Sequence, residues 1–212
     1  MPAIFFDLDG TLLDTLPDIH ANLNDTLQHF GYPLVDLERT RAYIGDGARR
    51  LVERALPAGA ENLDACLAYF RENYGKCGNV LTQPYEGALA FLARARAAGF
   101  RLAVITNKPQ AATVRAVEQF FPDTFDFVAG DSGAFPVKPD PALTRYAALT
   151  LRVAPRECCF VGDGETDVLT AKNAGMRGVA ALWGYRSKEQ LSGAGARLFA
   201  GSFEALENLI FG

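Results

Sequence analysis

Apolar residues fall along this chain in two alternating rhythms. Short, nearly unbroken apolar runs stand at Ala3–Asp7, Arg101–Thr106, Asp126–Ala129, Cys158–Gly162 and Gly178–Leu182, with a weaker one near Arg197–Phe199. Runs of this length without polar alternation predict strands buried on both faces. Between most of them, apolar residues recur at spacings of three and four. Leu89 and Leu92 do so among the alanines of Glu86–Ala98, Val114 and Val117 in Pro109–Phe121, and Leu143, Tyr146 and Ala147 in Pro141–Leu151. Strands alternating with helices predict an α/β fold built on a parallel sheet with helices over both faces.

Residues 16–81 break this rhythm and offer no convincing strand. Leu16, Ile19, Leu23, Leu27 and Phe30 mark one face of a helix that Gly31 stops. Leu51, Val52, Ala55 and Leu56 predict a second helix. Leu63, Leu67, Phe70 and Tyr74 predict a third, ended by Gly75. The expected division is therefore a core of residues 1–15 and 82–212, interrupted after its first strand by an all-helical insert over 16–81. Hinges are expected near Leu13–Leu16 and Leu81–Pro84.

Composition narrows the class. The 212 residues are 49% hydrophobic and 22% charged, which suits a globular protein with a sizeable core. A net charge of -4, with no cluster of Lys and Arg, argues against a nucleic-acid partner. No run of 18 apolar residues predicts a membrane span, and the first apolar segment lacks a basic flank, so no secretory signal is expected. Of the four cysteines, Cys66, Cys77, Cys158 and Cys159, the last two adjoin a predicted strand and are expected as small core residues rather than a disulfide. No spacing suggests zinc. A reduced, cytoplasmic setting follows. Nothing in the sequence argues for a particular oligomeric state.

Chemistry concentrates where the strands end. In an open parallel sheet, ligands bind beyond the carboxyl ends of the strands. Asp7 and Asp9 follow the first run, Thr106, Asn107 and Lys108 the second, and Asp163 and Asp167 the Cys158–Gly162 run. Lys138 lies instead in the Pro-rich turn "FPVKPDPAL". Converging carboxylates repel and require a cation. All-oxygen donors without His or Cys favour a hard ion such as Mg²⁺, which accepts a few carboxylates plus substrate phosphate. Asp7 and Asp9, two residues apart on an extended segment, point the same way. One carboxylate can act as nucleophile on phosphorus, and a second can protonate a leaving alkoxide and then deprotonate water. Lys138, the Thr106 hydroxyl and nearby backbone N–H groups suit the phosphoryl oxygens, and Gly10 admits close backbone approach.

Singly, each residue has a plainer explanation. Thr106 alone reads as a strand-end hydroxyl, Lys138 as a solvated lysine, Asp163 as a helix cap and Asp167 as a first-turn acid. The "DxDG" element is similar to a calcium loop, but Thr11, Leu12 and Asp18 stand where that loop's fifth, sixth and twelfth positions require other residues. A dinucleotide site is excluded because "GAGARL" lacks the third glycine and the preceding strand.

Taken in order, "DLDGTLLDT", "ITNK", "VKP" and "VGDGETD" resemble the four-motif signature of the haloacid dehalogenase superfamily over nearly the whole chain. The resemblance implies a Rossmann-like core with a C1-type helical cap. It implies Asp7 as nucleophile and Asp9 as general acid/base. It also implies Thr106, Asn107, Lys138 and Gly10 around the phosphoryl group, and Mg²⁺ held by Asp7, the Asp9 carbonyl and Asp163, with Asp167 in support. An acid at position 9 argues for phosphoryl chemistry over dehalogenation. Lys76, the only lysine between Leu16 and Leu81, stands poorly for the Schiff base of phosphonatases. "DTLPDI", "YIGDGARRLVERAL", "TNKP" and "WGY" are similar to phosphoglycolate phosphatases. Those stretches imply a small phosphorylated metabolite as substrate, read by the Gly45, Asp46 and Gly47 turn and by Arg49 or Arg50 through a carboxylate. Asp46 in place of an expected Asn, and "KPDP" in place of "KPHP", leave substrate identity open. Sugar phosphates, pyrophosphate and N-acetylmuramate 6-phosphate remain alternatives. So does a phosphosugar mutase, for which His20 is the candidate, and a receiver-like signalling module, which lacks such an insert.

Overall fold

The computed structural model describes residues 2–77 and 79–212, with the side chain of Cys77 outside the described set. Six parallel strands form one sheet in the order β5-β4-β1-β6-β7-β8. They are β1 Ala3–Phe6, β4 Arg101–Pro109, β5 Phe127–Asp131, β6 Cys158–Gly162, β7 Arg177–Ala181 and β8 Phe199–Ala200. Every strand pair in the sheet is parallel, so each return crosses over a face of the sheet. This is the parallel α/β sheet expected from the apolar runs, in the Rossmann-like form that the family resemblance implied.

Alternation along each strand divides the core in two. Ile4, Phe6, Leu102, Val104 and Val161 face one side, against Phe91 and Leu92 of α5 (Ala88–Ala97) and Leu206 of α10 (Phe203–Phe211). Ala3, Phe5, Ala103, Ile105 and Phe160 face the other, against α7 (Ala142–Thr150) and α8 (Glu165–Ala174). α6 (Gln110–Phe120) and α9 (Lys188–Gly193) complete the helices of this part. Cys66, Cys158 and Cys159 are buried free thiols.

Between β2 (Leu13–Asp14) and β3 (Gln83–Pro84) the chain forms α1 Leu16–His29, α2 Leu37–Tyr43, α3 Ala48–Ala55 and α4 Leu63–Cys77. These helices pack around their own apolar cluster, which includes Leu23, Leu27, Val52, Leu67 and Phe70. The insert is the helical cap. α4 runs through Gly75, where a stop was expected, because one interior glycine costs a helix only about 1 kcal/mol. α2, unmarked by periodicity, starts at Asp36, whose carboxylate accepts the Arg39 N–H at 2.8 Å. β2 and β3 pair antiparallel, with Leu13 opposite Pro84, and bring the two crossings into the insert side by side. The Asp18 carboxylate accepts the N–H groups of Leu81 and Thr82 there, tying α1 to the outgoing chain. Among the described residues, no helix is long and apolar enough to cross a membrane.

Candidate active site

β1 is hydrogen-bonded between β4 and β6, with Phe6 level with Val104 and Val161. Asp7, the next residue, therefore emerges beside the carboxyl ends of both neighbours, and its N–H donates to the Val161 carbonyl at 2.9 Å. Asp163 follows β6, and Asp167 lies on the first turn of α8. Carboxylate oxygens of Asp7, Asp163 and Asp167 all lie within 4.8 Å of one another, and all three residues are buried.

Each acid is held in place. Asp163 accepts the Thr11 hydroxyl at 2.7 Å and the Tyr185 N–H at 2.8 Å. Asp167 accepts the Lys138 ammonium at 2.6 Å through one oxygen and the Gly164 N–H at 2.9 Å through the other. Lys138 also stands 2.8 Å from Asp7 Oδ1 as an ion pair. The approach is out of hydrogen-bonding alignment, and Oδ1 has no hydrogen-bond partner. Three glycines make room for this cluster. A Cβ on Gly10, which sits at φ +85°, or on Gly184 would fall 2.4 Å or less from Asp163 atoms, and one on Gly162 would fall 2.3 Å from Asp167. Gly10 thus serves the acidic cluster itself.

Burial dominates the protonation of these groups. It pushes the Asp7 carboxyl up to about 6, against the lowering effect of Lys138. It pushes Asp163 up to about 7, with Asp167 and Asp7 adding repulsion. For Lys138, burial opposes the charge, but Asp167 and Asp7 hold it above the ordinary lysine range. Crowded, desolvated carboxylates, an Asp7 oxygen with an ion pair but no hydrogen bond, and an all-oxygen set fit a hard divalent cation. These residues could hold one.

Asp9 faces the other way, toward the helical insert. It accepts the Thr15 hydroxyl at 2.8 Å and the Lys108 ammonium at 2.8 Å, and Lys108 donates also to the Tyr74 hydroxyl of α4 at 2.9 Å. Burial opposes the Lys108 charge, but Asp9 and Tyr74 raise its pKa. Thr106, Asn107 and Lys108 lie in the last part of β4 and are buried. The Asn107 carboxamide is committed to the backbone. It donates to the carbonyls of Gly45 and Lys138 at 3.1 Å each and accepts the Lys138 N–H at 2.8 Å. It thus joins the Gly45, Asp46 and Gly47 turn to the sheet.

A cavity of about 60 Å³ opens beside Asp7 and Asp9, under that turn, lined by Thr106 and Lys108 and by apolar residues including Ile44, Leu51 and Phe70. A second, more polar cavity of about 350 Å³ meets it at the same two acids and runs past Asp163 and Glu165 to Arg54 and Arg186. The arginines expected at substrate line neither. Only Ala48, Leu51 and Val52 of α3 turn inward, so Arg49 and Arg50 fall on its outer face and pair with Asp64 at 2.7 Å and Glu53 at 2.5 Å. Asp46, which stands where an Asn was expected, pairs with Arg54 at 2.5 Å, and the pair offsets its negative charge. His20 bonds Thr40 at 2.8 Å and contacts Asn24 at 3.3 Å within the insert, away from the acids.

Tyr74, Thr11, Thr15 and Tyr185 are the site residues that sequence reasoning missed, and Lys108, placed at the strand end by the sequence, was given no partner there. The "TNKP" and "WGY" strings contain Lys108 and Tyr185, but nothing local shows where those side chains point.

The family described as haloacid dehalogenase-like hydrolase matches residues 4–181. Phosphoglycolate phosphatase from Cereibacter sphaeroides is 38% identical over 192 residues, covering 88% of this chain and 87% of its own. Phosphoglycolate phosphatase 1 from Pseudomonas aeruginosa is 37% identical over 190 residues, covering 86% of this chain and 70% of its own. A solved structure from Lactobacillus delbrueckii subsp. bulgaricus, provisionally named a phosphoglycolate phosphatase, superposes with a TM-score of 0.93 at 31% identity. It covers 98% of this chain and 97% of its own.

Proposed function

Because the chain belongs to the haloacid dehalogenase-like hydrolase family, we propose that it is a Mg²⁺-dependent phosphatase that hydrolyses a small phosphomonoester, 2-phosphoglycolate first among the candidates. The observation that carries this reading is the convergence of buried Asp7, Lys138, Asp163 and Asp167 at the ends of adjacent strands, with Asp9 turned toward a small cavity under the helical insert.

In this reading a carboxylate oxygen of Asp7 attacks phosphorus. The bond from phosphorus to the ester oxygen breaks, and Asp9 gives its proton to the departing alkoxide. Water then attacks the aspartyl-phosphate, Asp9 takes the water's proton, and phosphate leaves with Asp7 restored. Lys138 and the Thr106 hydroxyl hold phosphoryl oxygens, together with backbone N–H groups near Gly10 and Asn107. Asp7, Asp163 and the Asp9 carbonyl are the groups that would hold Mg²⁺, with Asp167 supporting. The ion supplies positive charge to a site whose carboxylates and phosphate are all anionic. In this reading residues 1–15 and 82–212 carry the chemistry, and 16–81 close over it. Buried free thiols accord with a reducing, cytoplasmic setting.

Purified protein with Mg²⁺ is expected to release phosphate from 2-phosphoglycolate far faster than from an aryl phosphate. Asp7→Asn is expected to lower turnover by about six orders of magnitude, as removal of a nucleophile does. Turnover surviving in Asp7→Asn would remove Asp7 from the mechanism. A panel of sugar phosphates, pyrophosphate and N-acetylmuramate 6-phosphate decides the substrate class. Phosphate returned to sugar rather than to water would mark a mutase.

A further inference from the structure

The small cavity beside Asp9 is lined mostly by apolar side chains, and Lys108 is the only basic residue on it. An ammonium has three hydrogens to donate. Two of the Lys108 hydrogens reach Asp9 Oδ1 at 2.8 Å and the Tyr74 hydroxyl oxygen at 2.9 Å. The third is left for a ligand. Because Tyr74 accepts from Lys108, its own O–H proton is also free to donate. Among the described residues, no acceptor for that proton is present.

Position decides what this pair would meet. If Asp9 protonates the ester oxygen, whatever hangs from that oxygen lies beside Asp9 and therefore beside Lys108. The roughly 60 Å³ beside Lys108 has room for a leaving group of a few atoms, whereas the adjoining larger cavity offers Arg54 and Arg186, which are committed to Asp46 and to Glu165 and the Arg41 carbonyl. A carboxylate set among Ile19, Ile44, Leu51 and Phe70 with no donor would be strongly disfavoured. Arg49 and Arg50 face solvent, and Arg54 is paired with Asp46.

We propose that Lys108 and Tyr74 form the receptor for a carboxylate on the leaving group, making them the residues that select a short carboxylate-bearing phosphomonoester. This rests on the phosphatase reading and deepens it. The receptor takes one half from β4 and the other from α4, so it is complete only when the helical insert is seated over the sheet.

The test compares 2-phosphoglycolate with 2-hydroxyethyl phosphate, which has the same length but no carboxylate, in wild type, Lys108→Met and Tyr74→Phe. Wild type is expected to favour the carboxylate ester. In Lys108→Met, kcat is expected to fall on both esters because Asp9 loses its neighbour. KM is expected to rise about 100-fold for the carboxylate ester alone. Tyr74→Phe, the milder change should Lys108→Met fail to fold, is expected to raise the same KM about tenfold. Equal KM changes on the two esters, or no wild-type preference, would overturn the proposal while leaving the phosphatase reading intact. Calorimetric binding of the two esters to the Asp7→Asn chain, with and without Lys108→Met, separates recognition from chemistry. Selective loss of 2-phosphoglycolate binding supports the receptor even if no ester turns over, in which case the phosphatase reading alone falls.

Discussion

Asp9 is gripped from two sides, by the Thr15 hydroxyl at the entrance to the insert and by the Lys108 ammonium at the end of β4. Asn in its place keeps the shape and the contact with Thr15 but has no proton to give. Asp9→Asn is expected to lower kcat by about 10²–10⁴, the usual contribution of a positioned acid. The stabilisation of the protein by Mg²⁺ should persist, because the ligand expected there is the backbone carbonyl. Steady-state kinetics with a Mg²⁺ titration of the thermal midpoint checks both halves, and loss of the midpoint shift would place the Asp9 side chain among the ligands instead. The four acids were legible in the sequence because each follows an apolar run, and parallel strands bring such ends together whatever their separation along the chain. The partners of Lys108 and Tyr185 were not. Lys108 reaches Asp9 across 99 positions, and the Tyr185 hydroxyl reaches the Thr15 N–H across 170. Such contacts depend on side-chain direction, which periodicity does not encode.

Among the elements, α2 shows best what pattern alone leaves out. It is seven residues long, with one inward residue, Thr40. Most of its carbonyls near the C-terminus would lack partners. The core supplies one. Arg186, after β7, donates to the carbonyls of Arg41 at 2.9 Å and Ala42 at 3.3 Å and also to that of Ile44, while its Nε bonds Glu165 at 3.0 Å. A charged fork thus fastens the end of α2, and the turn that follows it, to the sheet edge beside the acids. Arg186→Ala is expected to destabilise the protein by about 2 kcal/mol, since charge-assisted bonds to otherwise unpaired carbonyls are lost. It should also speed hydrogen exchange at residues 41–47 more than elsewhere. Denaturant unfolding and exchange mass spectrometry read these effects. Uniform exchange across α1 to α4 would show that the insert is held by its apolar packing alone. Elements with denser apolar patterns needed no such partner to be recognised: β1, β4, β6 and α1 carry enough apolar positions to declare themselves.

The whole molecule concentrates negative charge in its interior, and this makes its stability depend jointly on pH and on a cation. Without a cation, Asp7 and Asp163 titrate near 6 and 7 in the fold, against 3.8 for a free aspartate, chiefly because burial disfavours their charged forms. From about pH 4 to 7 the folded state therefore binds more protons than the unfolded chain, and stability falls as pH rises. The contribution from the protonated groups is complete below the unfolded pKa and lost as pH passes through 6 to 7. A divalent ion acts in the opposite sense, because it binds the ionised carboxylates that the unfolded chain does not hold together. At pH 8 it meets no competing proton at these groups, whereas at pH 5 it must displace one. Mg²⁺ at about 100 times its dissociation constant is expected to add about 2.7 kcal/mol at pH 8, or about 5–10 °C in thermal midpoint for a chain of this size. The gain should be less than half as large at pH 5. Sodium chloride at matched ionic strength should not reproduce it, because the site is buried from screening. Asp7→Asn, which removes one of the crowded charges, should raise the midpoint at pH 8 without Mg²⁺ and shrink the response to Mg²⁺. A response equal at both pH values, or matched by sodium, would mean that the acids are balanced by Lys138 alone and that the cation does not sit among them.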